Sequence, residues 1–83
     1  MSVAIHNRIA LFRAERSVSR RALAEAVGVN VQTIGYLERG DYTPSLELGM
    51  KLAAFFGVPV ELMFSFSAFE SVADVLIRSG GER

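Results

Sequence analysis

The segment that most restricts the fold of this chain is residues 20–39 (RRALAEAVGVNVQTIGYLER), whose spacing predicts two short helices that cross at a sharp turn. Leu23, Ala24 and Val27 give the first helix an apolar face, and Gly28 can adopt the positive φ that often ends a helix. Ala24 is expected where the second helix crosses most closely, because little more than a methyl group fits there. These residue types therefore predict how the two helices pack.

The second helix of this pair is predicted to begin after Asn30, because asparagine is a favourable N-cap residue. Ile34 and Leu37 place apolar side chains on its inner face. The residues left on the outer face are Val31, Gln32, Gly35, Tyr36 and Arg39. A small residue, a turn glycine, a cap and two apolar anchors in register predict a helix-turn-helix, whose second helix can enter the major groove of DNA.

The length and composition of the chain limit its other functions. Its 83 residues suffice for one domain, and the lack of cysteine excludes disulfides and thiolate zinc sites. The first residues lack the apolar core of a signal peptide, and the most apolar stretch, residues 48–69, is interrupted by Lys51, Pro59 and Glu61. We therefore expect a soluble, cytoplasmic protein without a membrane contact.

Catalysis and metal binding are not expected either. No spacing of nucleophile and base, no phosphate-binding glycine loop and no cluster of metal ligands stands out in the sequence. His6 has no partner at metal-ligand spacing and is expected to be a surface residue. We therefore expect a protein that is not an enzyme and needs no metal or cofactor.

The charges of the chain are unevenly distributed, although its net charge is zero. Residues 1–40 contain six arginines and three glutamates, a net charge of +3, whereas residues 41–83 contain three basic and six acidic side chains, a net charge of −3. A positively charged half that carries the helix pair suits a surface that contacts phosphate. The alternative is that the arginines are only the solvated faces of small helices.

Three further helices are predicted around the helix pair. A first helix is expected over about residues 4–16, a fourth over residues 46–56 and a short fifth over residues 59–64. Ser45 is the expected N-cap of the fourth helix, and Gly57 ends it. The positions expected to be buried in the fourth helix are Leu46, Met50 or Leu48, Ala53 and Phe56. No alternation typical of strands is visible.

The last segment predicts a sixth helix, because Ser67 and Glu70 form a capping-box pair and apolar residues follow at helical spacing. Five helices already make a compact core, so these apolar side chains are expected to form a homodimer interface; the alternative is that the sixth helix folds back on its own domain. The expected dimerisation residues are Phe66, Phe69, Val72, Leu76 and Ile77. The fold is thus predicted to be all-α, with a five-helix DNA-binding bundle in residues 1–66 and an amphipathic helix with a short tail in residues 67–83.

A family resemblance covers about residues 7–64. The segments that carry it are Arg8-Ile9, Leu11-Phe12-Arg13, Leu23-Ala24-Glu25, Val27-Gly28-Val29, Gln32-Thr33-Ile34, Leu37-Glu38-Arg39-Gly40, Pro44-Ser45-Leu46 and Phe56-Gly57-Val58. In these segments the chain resembles the phage repressor and Cro-type (Xre-like) helix-turn-helix transcriptional regulators. The resemblance implies a repressor that acts as a homodimer, with the third helix, about residues 30–38, in the major groove of a palindromic operator.

The resemblance also implies roles for single residues. Arg20 stands where relatives commonly have a phosphate-binding glutamine, and its charged fork can also bind phosphate. Gln32 matches a base-reading position, where its amide can pair with the N6 and N7 edge of adenine. Asn30 and Thr33 match phosphate-contacting positions at the helix N-terminus. Arg39 and the turn at residues 42–43 would contact the DNA strand from the other side. The expected DNA-binding residues are Arg20, Asn30, Val31, Gln32, Thr33, Tyr36, Arg39 and Thr43.

The chain departs from the family at two positions of the third helix. Val31 stands where relatives often have a polar base reader, so it can contact a thymine methyl group at most, and Gly35 removes another exposed side chain. Tyr36 is an exposed aromatic residue left on that face and is expected to contact DNA; the alternative is partial packing against the first helix. Relatives pair an arginine at the position of Arg13 with a glutamate at that of Glu38, so the resemblance implies that Arg13 is structural.

Two other functions stay open on the sequence alone. The same fold can serve as a protein-binding module, such as an adaptor or an antitoxin, whose last helix binds a toxin or the transcription machinery. A dimerisation scaffold that never meets DNA is the other alternative, which Val31 and Gly35 mildly favour. Double-stranded DNA is the expected partner in the leading hypothesis.

Overall fold

Five helices and one pair of very short strands make up residues 4–69, the part of the chain that the computed structural model describes. The elements are β1 (His6–Asn7), α1 (Ile9–Glu15), α2 (Arg20–Val27), α3 (Val31–Arg39), α4 (Leu46–Phe56), α5 (Val60–Met63) and β2 (Phe64–Ser65). None of these helices is both long and apolar enough to cross a membrane. The predicted five-helix bundle is confirmed, whereas the predicted sixth helix lies outside the described residues.

Three of the helices begin at a side-chain cap and end at a glycine. The hydroxyl oxygens of Ser19 and Ser45 accept the N–H groups of Ala22 and Leu48 at the starts of α2 and α4, at 3.0 and 3.1 Å. Gly28 follows α2 with a φ of 78°, a left-handed conformation in which a side chain would be strained, and so turns the chain directly into α3. The local signals in residues 19–57 therefore place three helices correctly.

The first helix is shorter than the sequence pattern predicts, and the structure adds a pair of two-residue strands for which the sequence shows no alternation. Helix α1 begins at Ile9, and β1 before it pairs antiparallel with β2. The side chain of Asn7 accepts the N–H of Ile9 at 3.1 Å and donates to the carbonyl of Leu37 at 2.8 Å. The side chain of Asn7 thus joins the start of α1 to the end of α3, while the pairing with β2 keeps residues 6–7 extended.

The fifth helix is also shorter than predicted. Pro59 is its N-cap rather than its first residue, and Phe64 lies in β2 instead of ending the helix. The backbone N–H of Arg8 donates to the carbonyl of Met63 at 2.9 Å, beside the β1–β2 pair. The two ends of the described chain are thus joined by backbone hydrogen bonds.

The hydrophobic core lies where α1 to α4 meet, with Met63 closing it. Its buried residues are Ile9, Phe12, Leu23, Ala24, Val27, Ile34, Leu37, Leu48, Leu52, Ala53, Phe56 and Met63. The prediction that Leu46 is buried is wrong, since 76% of its surface is exposed, and Met50 on the next turn is exposed as well. Leu48 and Leu52 occupy the buried face instead, so the inner side of α4 starts two residues later than the sequence pattern indicates.

Replacing Ala24 with leucine is expected to lower the free energy of unfolding by about 1–3 kcal/mol, because overpacking a close helix contact forces the helices apart. Ala24 is 2% exposed, and its carbonyl accepts the N–H groups of Gly28 and Val29 in the turn. Urea denaturation measures the change, and Ala22→Leu, at an exposed position of the same helix, is the matched control. Equal midpoints for the two variants would show that α2 and α3 do not meet closely at Ala24.

Candidate nucleic-acid interface

The solvent-facing side of α3 forms an open groove of about 230 Å³. Its lining residues are Arg20, Val31, Gln32, Gly35, Tyr36 and Arg39. Five of these six residues belong to α3, and Arg20 is the first residue of α2. Five of the eight predicted DNA-binding residues therefore line the groove, together with one glycine.

The N-terminus of α3 is organised by Asn30. Its side-chain oxygen accepts the backbone N–H of Thr33 at 3.2 Å and the hydroxyl of the same threonine at 2.8 Å. The backbone N–H groups of a first helical turn point toward the end of the helix, where they attract anions. Asn30 and Thr33 thus occupy positions from which a phosphate can be bound, and Gln32 between them is exposed.

Two residues that were predicted on the outer face of α3 are less exposed than expected. Val31 is half-buried and packs against the hydrophobic core while it also lines the groove. Gly35 is buried, which contradicts its predicted place on an open face. The cause is that two guanidinium groups lie beside it: a Cβ atom built at Gly35 would be 3.4 Å from Nη1 of Arg39 and 3.7 Å from Nη1 of Arg20.

The carboxylate of Glu38 joins α3 to two arginines on other helices. Nε of Arg13 lies 2.7 Å from one of its oxygens, which confirms the predicted pair between α1 and α3. Arg13 also donates to the carbonyl of Val18 at 3.1 Å. Nε of Arg20 lies 2.9 Å from the other oxygen of Glu38, whose side chain is only 4% exposed.

The pair between Arg20 and Glu38 was missed by the sequence reasoning, which assigned Arg20 only to phosphate. A separation of 18 residues between two different helices leaves no periodic signal that could have revealed it. The pairing uses the Nε edge of the guanidinium, and 48% of the Arg20 side chain is exposed. Arg20 can therefore support α3 and still face a ligand.

At the other end of the groove, Arg39 is held by two neighbours. Its Nε lies 3.1 Å from Oδ2 of Asp41, and its guanidinium carbon lies 5.1 Å from the ring centre of Tyr36, in the range of a cation–π contact. Tyr36 is 48% exposed, as predicted for this face. Thr43, the last residue of the predicted DNA-binding set, is exposed in the turn between α3 and α4.

The two described residues of the set predicted for dimerisation do not line this groove. Phe66 is 75% exposed just after β2. Phe69 is half-buried, and the guanidinium carbon of Arg8 lies 4.0 Å from its ring centre. The other three predicted residues, Val72, Leu76 and Ile77, lie outside the described part of the chain.

Comparisons with known proteins identify the same region of the chain. A family model described as helix-turn-helix matches residues 9–63. An uncharacterized HTH-type transcriptional regulator of Methanocaldococcus jannaschii is 42% identical over 60 residues, which cover 72% of this chain and 91% of that protein. The cryptic phage CTXphi transcriptional repressor RstR of Vibrio cholerae is 38% identical over 55 residues, or 66% of this chain and 50% of the repressor.

A solved structure is similar over most of the chain. The crystal structure of the clp gene regulator ClgR from C. glutamicum superposes with a TM-score of 0.58 and 34% sequence identity. The similarity covers 89% of this chain and 80% of that one. The helices that form the groove therefore belong to a fold that a known gene regulator shares.

Removing the Arg13 side chain is expected to lower the free energy of unfolding by about 1–3 kcal/mol, because it leaves a nearly buried carboxylate with one partner instead of two. The melting temperature of Arg13→Ala should fall accordingly, while Arg21→Ala, at an exposed position of α2, should leave it unchanged. Loss of specific DNA binding by Arg13→Ala at unchanged stability would refute the structural assignment.

Proposed function

The chain belongs to the Xre-like helix-turn-helix family of DNA-binding transcriptional regulators, and on that premise we propose that it represses transcription as a homodimer on a palindromic operator. The observation that carries the proposal is the groove on the outer face of α3, where Gln32 and Tyr36 are exposed between two guanidinium groups. A protein that occupies an operator excludes polymerase from it, and no catalytic step is required.

The proposed contacts divide into base reading and phosphate binding. Gln32 is exposed in the first turn of α3, where its amide can donate to N7 and accept from N6 of adenine. Asn30 and Thr33 lie at the N-terminus of the same helix, beside the N–H groups that favour a phosphate. Thr43, in the exposed turn after α3, is proposed to contact the same backbone from the other side.

The charge distribution supports this orientation toward DNA. Residues 1–40, which hold α1 to α3, carry six arginines and three glutamates, whereas the rest of the chain has a net charge of −3. The carboxylate of Glu38 pairs with both Arg13 and Arg20, so these three side chains together keep a net positive charge. A positive surface around α3 attracts the phosphate backbone of DNA.

A homodimer is proposed because an operator with two half-sites needs two copies of α3 one helical turn of DNA apart, about 34 Å. Phe66 is the exposed start of the proposed interface, and the apolar residues at 72, 76 and 77 continue it at helical spacing in the sequence. The repressor role is supported by the similarity to RstR, which is named a transcriptional repressor. The second copy would thus provide symmetry as well as a second groove.

Replacing Gln32 with alanine is expected to reduce the preference for the selected operator over other sequences by about 1–3 kcal/mol, since one bidentate base contact is lost. Weak attraction to any DNA should remain, because phosphate contacts provide it. Random-sequence selection followed by binding titrations at several salt concentrations measures both quantities, with Lys51→Ala on α4 as the control. For the unchanged protein, log affinity should fall linearly with log salt, at about −0.9 per neutralised phosphate.

A protein that binds all sequences equally, at every salt concentration, would contradict the proposed operator recognition. Unchanged preference in Gln32→Ala would contradict only the assignment of that residue.

The mass in solution is expected to be twice the 9.1 kDa of one chain. Replacing Leu76 and Ile77 together with aspartate should give monomers, because two charges would enter the proposed apolar interface. Asp74→Asn, on the predicted polar face of the same segment, is the matched control and should stay dimeric. Sedimentation equilibrium measures the masses, and a monomeric unchanged protein would contradict the proposal.

A further inference from the structure

Two arginines from different parts of the chain converge over one glycine in the middle of α3. Nη1 of Arg39 and Nη1 of Arg20 lie 3.4 and 3.7 Å from the point where a Cβ atom of Gly35 would be. A Cβ atom would meet both guanidinium groups at ordinary contact distances, whereas a side chain larger than that of alanine would compete with them for this space. Glycine in a helix interior is less favourable for helix stability than alanine. Helix stability alone therefore does not explain why glycine occupies position 35.

Each of the two guanidinium groups is fixed by a carboxylate at its inner edge. Nε of Arg20 is bound to Glu38 at 2.9 Å, and Nε of Arg39 is bound to Asp41 at 3.1 Å. Within residues 4–69, neither arginine forms another hydrogen bond through its terminal nitrogens. The Nη1 and Nη2 donors of both side chains therefore have no hydrogen-bond partner among these residues, and both Nη1 atoms lie over Gly35.

A pair of coplanar donors matches two kinds of acceptor in DNA, the phosphate oxygens and the O6 and N7 edge of guanine. The position in the groove favours guanine. The groove over Gly35 is also lined by Val31 and Gln32, the first two residues of α3, and the N-terminal residues of a recognition helix contact the base edges.

We propose that the groove over Gly35 is a guanine-reading site, in which Arg20 and Arg39 donate to O6 and N7 of guanine bases in the operator. This inference rests on the proposed function, since it needs α3 in the major groove. Gly35 leaves room for both guanidinium groups on the outer side of α3, and the guanidinium carbon of Arg39 lies 5.1 Å from the ring centre of Tyr36. The operator should then contain guanine next to the base that Gln32 reads, so the recognition by this helix is not limited to adenine.

The test compares guanine with 7-deazaguanine, which lacks the N7 acceptor, at each guanine of the site obtained by random-sequence selection. For the unchanged protein, substitution of the guanine that faces Gly35 should weaken binding about tenfold. Arg20→Lys and Arg39→Lys keep the charge but remove the planar fork, so at least one of them should bind both DNA molecules equally. Arg21→Lys, an exposed arginine of α2, is the control and should keep the tenfold difference.

A third variant tests the glycine itself. In Gly35→Ala the added methyl group meets both guanidinium groups at ordinary contact distances, so the domain should fold, which circular dichroism measures. Its discrimination between guanine and 7-deazaguanine should fall severalfold, because the methyl group occupies the floor of the groove. A full tenfold difference in Gly35→Ala and in both lysine variants would overturn the proposal.

The outcomes also separate this inference from the proposed function. If the arginines bind phosphate, the lysine variants should lose affinity at every sequence and the 7-deazaguanine effect should persist, which overturns guanine reading but leaves the operator-binding regulator intact. A selected site that contains no guanine would likewise overturn guanine reading and leave the operator-binding regulator intact. Failure of the unchanged protein to select any sequence would overturn both.

Discussion

The placement of the first three helices depends on the carboxylate of Glu38. A carboxylate with 4% of its side-chain surface exposed loses most of its hydration, which is unfavourable by several kcal/mol unless charged partners replace the water. Arg13 on α1 and Arg20 on α2 provide those partners at 2.7 and 2.9 Å. Because the three side chains come from three helices, α3 cannot rotate or slide without separating at least one ion pair.

The carboxylate of Glu38 also links the stability of the bundle to the groove on α3. Arg20 reaches Glu38 through Nε and the groove through Nη1, so a residue that supports α3 also lines the face proposed to meet DNA. Asp41 holds Arg39 at the other side of Gly35 in the same way. Side chains fixed before binding lose less conformational entropy when they bind, which favours recognition by a small, rigid surface.

Much of the fold could be predicted from the sequence, because its signals are local. The caps at Asn30 and Ser45 and the glycines at positions 28 and 57 act within a few residues, and the helices between them are where the pattern predicts. The start of α1 was predicted wrongly because the side chain of Asn7 binds the carbonyl of Leu37, 30 residues away. The two guanidinium groups over Gly35 could not be predicted for a similar reason. Their positions depend on the directions of two long side chains that come from different helices.

An NMR titration of isotope-labelled protein with a duplex that carries the selected site tests DNA binding by α3 most directly. The largest shift changes are expected for Gln32, Gly35 and Tyr36, while the amide of the exposed Met50 on α4 should stay unchanged. Changes centred on α4, or uniform small changes with no preference for α3, would contradict the claim that the exposed face of α3 binds DNA.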